Sequence, residues 1–346
     1  MPFILRLVDE IIIILKSDIM NHYLRLLIAI VWPLAAVLTS CQKETQPPAS
    51  NELTAAAVQL RPPSEQGFEE NDMVMYWNHK VADLLEAHTN PRADSRAFAI
   101  IEIAVHDALN SIKSKYERYV LNIVNEDHAD PRAAVASAAY HAIKGLNAQK
   151  TFPVDAWYTE SLATIPDNNG KELGIALGKK AADAIVANRA NDGLSQVTPL
   201  SPFPPDGEDP GEYRSTLPVS NPDLNLPHLR NIPNWGIVMK PFVVQSNDQF
   251  RASGPYVVNS PEYTIDFNEV KSKGAMVGSA RTAEEEQLMR FWLDNRHHIV
   301  WNNFTRQIIG TKKIDAWKTA RLFALIHTAM ADGASSMFDS KYHFYY

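Results

Sequence analysis

The chain has 346 residues, 45% of them hydrophobic and 21% charged, with a formal net charge of −7. That length exceeds what one small core requires, and the acidic balance excludes a general nucleic-acid binder, which would carry a basic face. The single cysteine, Cys41, excludes an internal disulfide and any cysteine-rich metal site.

Residues 1–19, MPFILRLVDEIIIILKSDI, fit no export signal, because Asp9, Glu10, Lys16 and Asp18 interrupt the apolar run. A start at Met20 is the better reading. From there Arg25 supplies a short basic region, and Leu26 to Leu38 is an apolar run of 13 residues. That is long enough for a signal and short for a membrane span. Leu38-Thr39-Ser40-Cys41 then resembles a bacterial lipobox. Residues 20–40 are therefore expected to be a lipoprotein signal, with Cys41 lipidated and the chain exported and anchored in the cell envelope. Gln42 after the cysteine favours the outer membrane. A free cysteine behind an uncleaved anchor is the competing reading. Residues 41–68 are polar, Pro-rich and aperiodic, as a tether would be.

From Glu69 the pattern turns helical, and a first helical part is expected over 69–198. Asn90-Pro91 and Asp130-Pro131 each place a capping side chain before a proline at the first helical position. Ala97, Ile101, Ala104, Ala108 and Ile112 form one apolar stripe at three- and four-residue spacing. Gly170, Gly174 and Gly178 recur every four residues in a further helix. Each glycine costs up to about 1 kcal/mol relative to alanine, a cost that close approach of a neighbouring helix would offset. Ten of the 22 prolines fall between Pro199 and Pro241, excluding a regular helix or central strand there. Residues 199–280 read as an ordered, irregular cover, with a short strand pair at most after Pro241.

Helices return over 281–346. Thr282 and Glu285 make a capping box. Leu288, Phe291, Trp292 and Ile299 are expected to form the buried face behind it. Ala320, Ala324, Thr328, Ala331 and Ser335 mark a small-residue face on the last helix. The fold class is all-α: a helical bundle in two parts around a Pro-rich segment.

The residues taken alone show no catalytic constellation. His297-His298 and the pair His327/Asp332 lack metal-ligand spacing and are read as structural or surface groups, so no metal is assigned. His106 and Asp107 point to different helix faces, and Asp107 is expected to bond a neighbouring helix. No nucleophile elbow, phosphate loop or dinucleotide fingerprint occurs. Trp77, Trp157, Trp292, Trp301 and Trp317 are read as core residues.

Longer stretches carry more. YWNHKVADLLEAHTNPRADSRAFAIIEIAVHDALNSI, LGKKAADAIVANRANDG, RNIPNWGIVMKPFVV, SPEYTIDFNEVKSKG and ARLFALIHTAMADGASSMFDSKYHFYY resemble, in order, the bacterial vanadium-dependent haloperoxidases, relatives of the type 2 phosphatidic acid phosphatases. The resemblance implies that Lys341 is the lysine of the K-x6-R-P signature and that Tyr342 to Tyr346 fill five of its six intervening positions. In that family a lysine, two arginines, an S-G-H segment and a histidine hold vanadate, on which peroxide oxidises halide; in the phosphatases they hold the phosphate ester. Here only Lys341 of that set is present. His327 and His343 lie too close to it in sequence to replace a ligand from a distant helix. The chain is thus expected to be a fragment of such an enzyme that does not bind vanadate by itself. A phosphatase of the same superfamily and a non-catalytic, lipid-anchored helical binding protein are the alternatives.

Overall fold

Asp130 and Asn168 each open a helix by lending a side-chain oxygen to backbone N–H groups, Asp130 to Arg132 and Ala133, Asn168 to Lys171. A computed structural model describes residues 60–64, 68–87, 91–148, 151–197, 207–213 and 235–344, all within one compact unit, Val58–Tyr346. The start at Met20, the signal, Cys41, most of the tether, Asn90 and the centre of the Pro-rich segment lie outside the described residues.

The described residues form α1 (Glu70–Glu86), α2 (Pro91–Ile112), α3 (Pro131–Gly145), α4 (Val154–Ala163) and α5 (Asn169–Asn188), then a 3-10 turn at Leu194–Gln196. After the Pro-rich gap come α6 (Trp235–Val238), α7 (Pro261–Lys273), α8 (Ala283–Asp294), α9 (His297–Thr311) and α10 (Ala316–Phe344). No strand occurs among them, and no described helix is long and apolar enough to cross a membrane.

α2 is the axis of the body. From Phe98 to Ile112 every side chain is buried, because α1, α3, α5 and α10 pack around it. A helix apolar all round must be enclosed in this way. Its polar members need local partners. Ser111 donates to the Asp107 carbonyl, and Asn110 donates to the His106 carbonyl while accepting from Tyr116 N–H.

The spaced glycines bring α5 onto α3. A Cβ at Gly174 would lie 2.8 Å from Ala133 Cβ, and one at Gly178 would lie 2.7 Å from Ser137 Cβ and from Ala138 N. Hydrogen is the only side chain that fits. Ser137 Oγ completes the contact by donating to the Ile175 carbonyl at 2.7 Å. The chain leaves α5 through Gly193, whose φ of +98° favours glycine.

Three expectations need correction. The segment after Pro241 contains a helix, α7, rather than strands, capped by Ser260 with Pro261 at its first position. On α8, Leu288 is 57% and Trp292 45% exposed. The helix is amphipathic, but no described element covers its apolar side. Trp301 on α9 is likewise exposed, whereas Trp77 is in the core. The capping box of Thr282 and Glu285 is present, and α7 and α8 are tied together by Lys273–Glu285 at 2.6 Å.

Replacing Gly178 by alanine should destabilise the protein by about 1–3 kcal/mol, since the methyl meets backbone that cannot move aside. Gly333→Ala, in α10 with nothing within 4 Å of its Cβ position, should stabilise by up to about 1 kcal/mol. Urea denaturation of the two variants checks both signs.

Candidate functional site

Two regions gather chemistry-bearing side chains: the last turns of α10, and the seat of α9. On α10 the small face found in the sequence is buried at Ala320, Ala324, Thr328, Ala331 and Ser335. Within that stretch Asp332 is buried as well. Its carboxylate accepts from the N–H groups of Phe242, Val243 and Val244 at 2.6, 2.8 and 3.1 Å. Burial pushes its pKa up, and those three N–H groups and Arg189 pull it back. Asp332 is therefore a fastening for the 242–244 segment, and it makes no pair with His327.

Asp107 plays the same part elsewhere. It accepts from the N–H groups of Tyr119, Val120 and Leu121 at 2.7, 2.8 and 3.0 Å. The expected bond to a neighbouring helix is replaced by a loop. A carboxylate accepts several donors at once, and a turning loop offers consecutive N–H groups that a helix has already spent.

Lys341 lies in the final turn of α10 and is exposed. Its ammonium sits 5.3 Å from the Tyr342 ring centre and 5.8 Å from that of Tyr213. Those two rings meet edge to face at 5.9 Å, and Tyr342 stacks on Phe338. Asp339 holds Arg251 through two bonds of 2.8 and 2.9 Å. Gly236 of α6 lets its backbone rest on α10, where a Cβ would come 2.5 Å from Asp339 Cα. His343 is exposed.

The second region is a polar node in the core. Asn78 of α1 donates to Glu102 of α2 at 2.8 Å and to the Asn302 side-chain oxygen of α9 at 2.9 Å, and Asn302 donates back at 3.0 Å. His327 Nε2 meets the same Asn302 oxygen at 3.0 Å, so Nε2 carries the proton. The His327 ring stacks on Phe98 with centres 3.6 Å apart. Both ring nitrogens of His298 and Nδ1 of His327 are buried without a hydrogen-bond partner among the described residues. Burial pushes Glu102 up to about 8, with the Asn78 bond opposing. His298 is pushed down to about 3 by burial and by His297 and Arg296. His297 itself is exposed and faces Ser95 at 3.3 Å. Among the described residues no three His, Cys, Asp or Glu side chains could hold a metal ion. Sequence reasoning missed Asn78, Glu102 and Asn302; the one available signal was a carboxylate inside the apolar run AIIEIAV.

No family model matches the chain. In sequence it is 22% identical over 344 residues to a vanadium chloroperoxidase of Curvularia inaequalis, an alignment covering 78% of this chain and 55% of that protein. In fold it resembles a bacterial vanadium-dependent iodoperoxidase, with a TM-score of 0.64 and 19% identity over 80% of this chain and 70% of that one. These likenesses relate the chain to the vanadium haloperoxidases. The chain spans about half the length of the vanadium chloroperoxidase it matches. Lys341 lies in the last turn of α10, over tyrosine rings. The polar node lies elsewhere, among α1, α2, α9 and α10.

The node sets a pH dependence whose sign is fixed. Glu102 is raised from 4.5 to about 8, so its stabilising contribution is full below the unfolded value and is lost as pH rises through that window. Glu102→Gln keeps an acceptor for Asn78 and removes the titration. Between pH 5.5 and 8.5 the variant should gain about 3 kcal/mol over wild type, read as the difference in urea unfolding free energy.

Proposed function

We propose that this chain is the N-terminal portion of a vanadium haloperoxidase-like enzyme, and that by itself it neither holds vanadate nor oxidises halide. The setting of Lys341 carries the reading. An oxyanion of multiple charge needs several converging cations and donors. The described residues give Lys341 two aromatic rings, while nearby Arg251 is already held by Asp339. The sequence contains no S-G-H segment, and its R-P pair, Arg61-Pro62, belongs to the tether. These residues do not fit vanadate, so peroxide and halide chemistry has no seat on them.

Two observations support the placement in a larger enzyme. The match takes in 55% of the vanadium chloroperoxidase. Large apolar residues stand bare on the later helices, among them Leu288, Trp292, Trp301, Phe304, Ile308 and Met337. In this reading further helices cover that side and bring the arginine, S-G-H and histidine elements to Lys341. Export belongs to the same proposal: Cys41 is lipidated and anchors the protein in the cell envelope.

The 346-residue chain, assayed with vanadate, peroxide and iodide or bromide, should show no oxidation above background. A polypeptide extended past Tyr346 with the R-P, S-G-H, arginine and histidine elements should gain vanadate binding and turnover. In it, Lys341→Ala should weaken vanadate retention about ten- to hundredfold, the loss of one charge-assisted bond of about 1.5–3 kcal/mol. Vanadate-dependent turnover by the short chain would overturn the proposal. Phosphate-ester hydrolysis by the extended one would assign the phosphatase alternative. No activity from either leaves the non-catalytic binding protein. For export, globomycin or Cys41→Ala should cause an unprocessed precursor to accumulate, and unchanged mobility in both would rule lipidation out.

A further inference from the structure

We propose that α9 is an acid-released helix: its seat on α1, α2 and α10 encloses three imidazoles, its own His298 and the facing His79 and His327, and none of them has an acceptor for a further proton. The weakness of its apolar attachment motivates the idea. α9 buries Ile299, Val300 and Ile309, but also His298, Asn302 and Arg306. Its second apolar stripe, Trp301, Phe304 and Ile308, faces solvent. Half of what it buries is polar, so its docking depends on those polar groups keeping one protonation state.

Each imidazole is constrained separately. His79 Nδ1 accepts from the Arg306 guanidinium, so it must offer a lone pair, and the proton sits on Nε2, 3.6 Å from Asp83. Protonating Nδ1 removes the acceptor and sets two cations against each other. His327 spends Nε2–H on Asn302 and keeps Nδ1 bare beside Phe98. A second proton there would have no acceptor. His298 has no partner at either nitrogen, so a charge on it would be buried without compensation.

Among the groups facing the imidazoles only Glu102 has the opposite sign, since its contribution is lost as pH rises and not as it falls. His79 meets Arg306 from α9 and Asp83 and Lys80 from its own helix; half-exposed Asp83 opposes the two cations only in part. His298 meets His297 and Arg296 on α9 and His327 from α10; His327 meets His298 in return. From α2, Glu102 reaches the node only through Asn78, and burial keeps it protonated. Also from α2, Asp94 lies 3.9 Å from Arg296. Burial holds all three imidazoles below their ordinary range, and for His79 and His298 nearby arginines deepen the effect. A base depressed in the docked state contributes stability above its free value, near 6.5, and loses it as pH falls. Each imidazole freed on undocking should favour release about tenfold per pH unit below that value. The contact of α3 with α5 rests mainly on glycine against backbone, alanine and serine, with a single half-buried imidazole, His141, near Lys179 and Asp183.

Hydrogen–deuterium exchange of the 346-residue chain at pH 7.5 and 5.5, corrected for intrinsic rates, tests the idea. Peptides within 297–311 should open at least about tenfold more at pH 5.5, with peptides of α5 changing far less. The double variant His79→Gln, His298→Leu keeps an acceptor for Arg306 and should lose most of that response. Should it not fold, His79→Gln alone should reduce the response by about tenfold. Unchanged protection of α9 at pH 5.5, an equal loss across α5, or a full response in a folded variant would each overturn the proposal.

Discussion

Arg189 is fully buried, and the end of α5, α2 and the 240–242 segment meet around it. Its guanidinium pairs with Asp192 at 3.0 Å, donates to the carbonyls of Lys240 and Pro241, and lies 3.9 Å from the Phe242 ring centre. Asp192 in turn holds Arg96 of α2 at 2.6 Å, and Arg96 donates to the Arg189 carbonyl. Each of the three guanidinium nitrogens of Arg189 has a partner, which is the condition for burying such a charge at all. Loss of one member would strand the rest, a cost of about 3–5 kcal/mol in comparable buried pairs. The segment at 240–244 is thereby fixed to α2 and the end of α5 on one side. Asp332 fixes it to α10 on the other.

The protein uses one device repeatedly where an all-α chain has no sheet to satisfy irregular backbone. Asp107 gathers the N–H groups of 119–121, Asp332 those of 242–244, and Asn247 donates to the carbonyls of Gly236 and Met239. Tyr119 then donates to the Phe242 carbonyl at 2.7 Å, joining the two fastened loops. Buried backbone groups must be paired somewhere, and here side chains supply the partners, Asp107 and Asp332 from helices and Asn247 from a turn. Order in the connecting segments is thus conferred by the helices beneath them.

Local chemistry was the legible part of the sequence. Asp130 before Pro131, the Thr282–Glu285 box, the glycine spacing of α5 and the small face of α10 each act within a few residues or through bare sterics, and each is present. What escaped was every feature needing a distant partner. Asp107 gave no sign of choosing a loop over a helix. Trp292 and Leu288 sit on a periodic apolar face, but periodicity says which residues share a side and nothing about whether another element covers it. His79 and Arg306 are 227 residues apart and have no shared pattern. For Lys341 the surrounding stretch suggested a family, and only the structure placed two tyrosine rings beside it.

Asp332 and Asp339 are seven residues apart on α10, about 10 Å along the axis and nearly one face. Both are gripped by the same stretch of chain, through the N–H groups of 242–244 and through Arg251. Two grips on one side of a rod remove its freedom to rotate as well as to slide. Lys341 follows Asp339 by two positions, about 200° around the helix, so its azimuth is set to the side opposite the clamp. The clamp works as a keyway for the helix: it fixes the side from which the Lys341 stem starts, and the flexible stem does the rest.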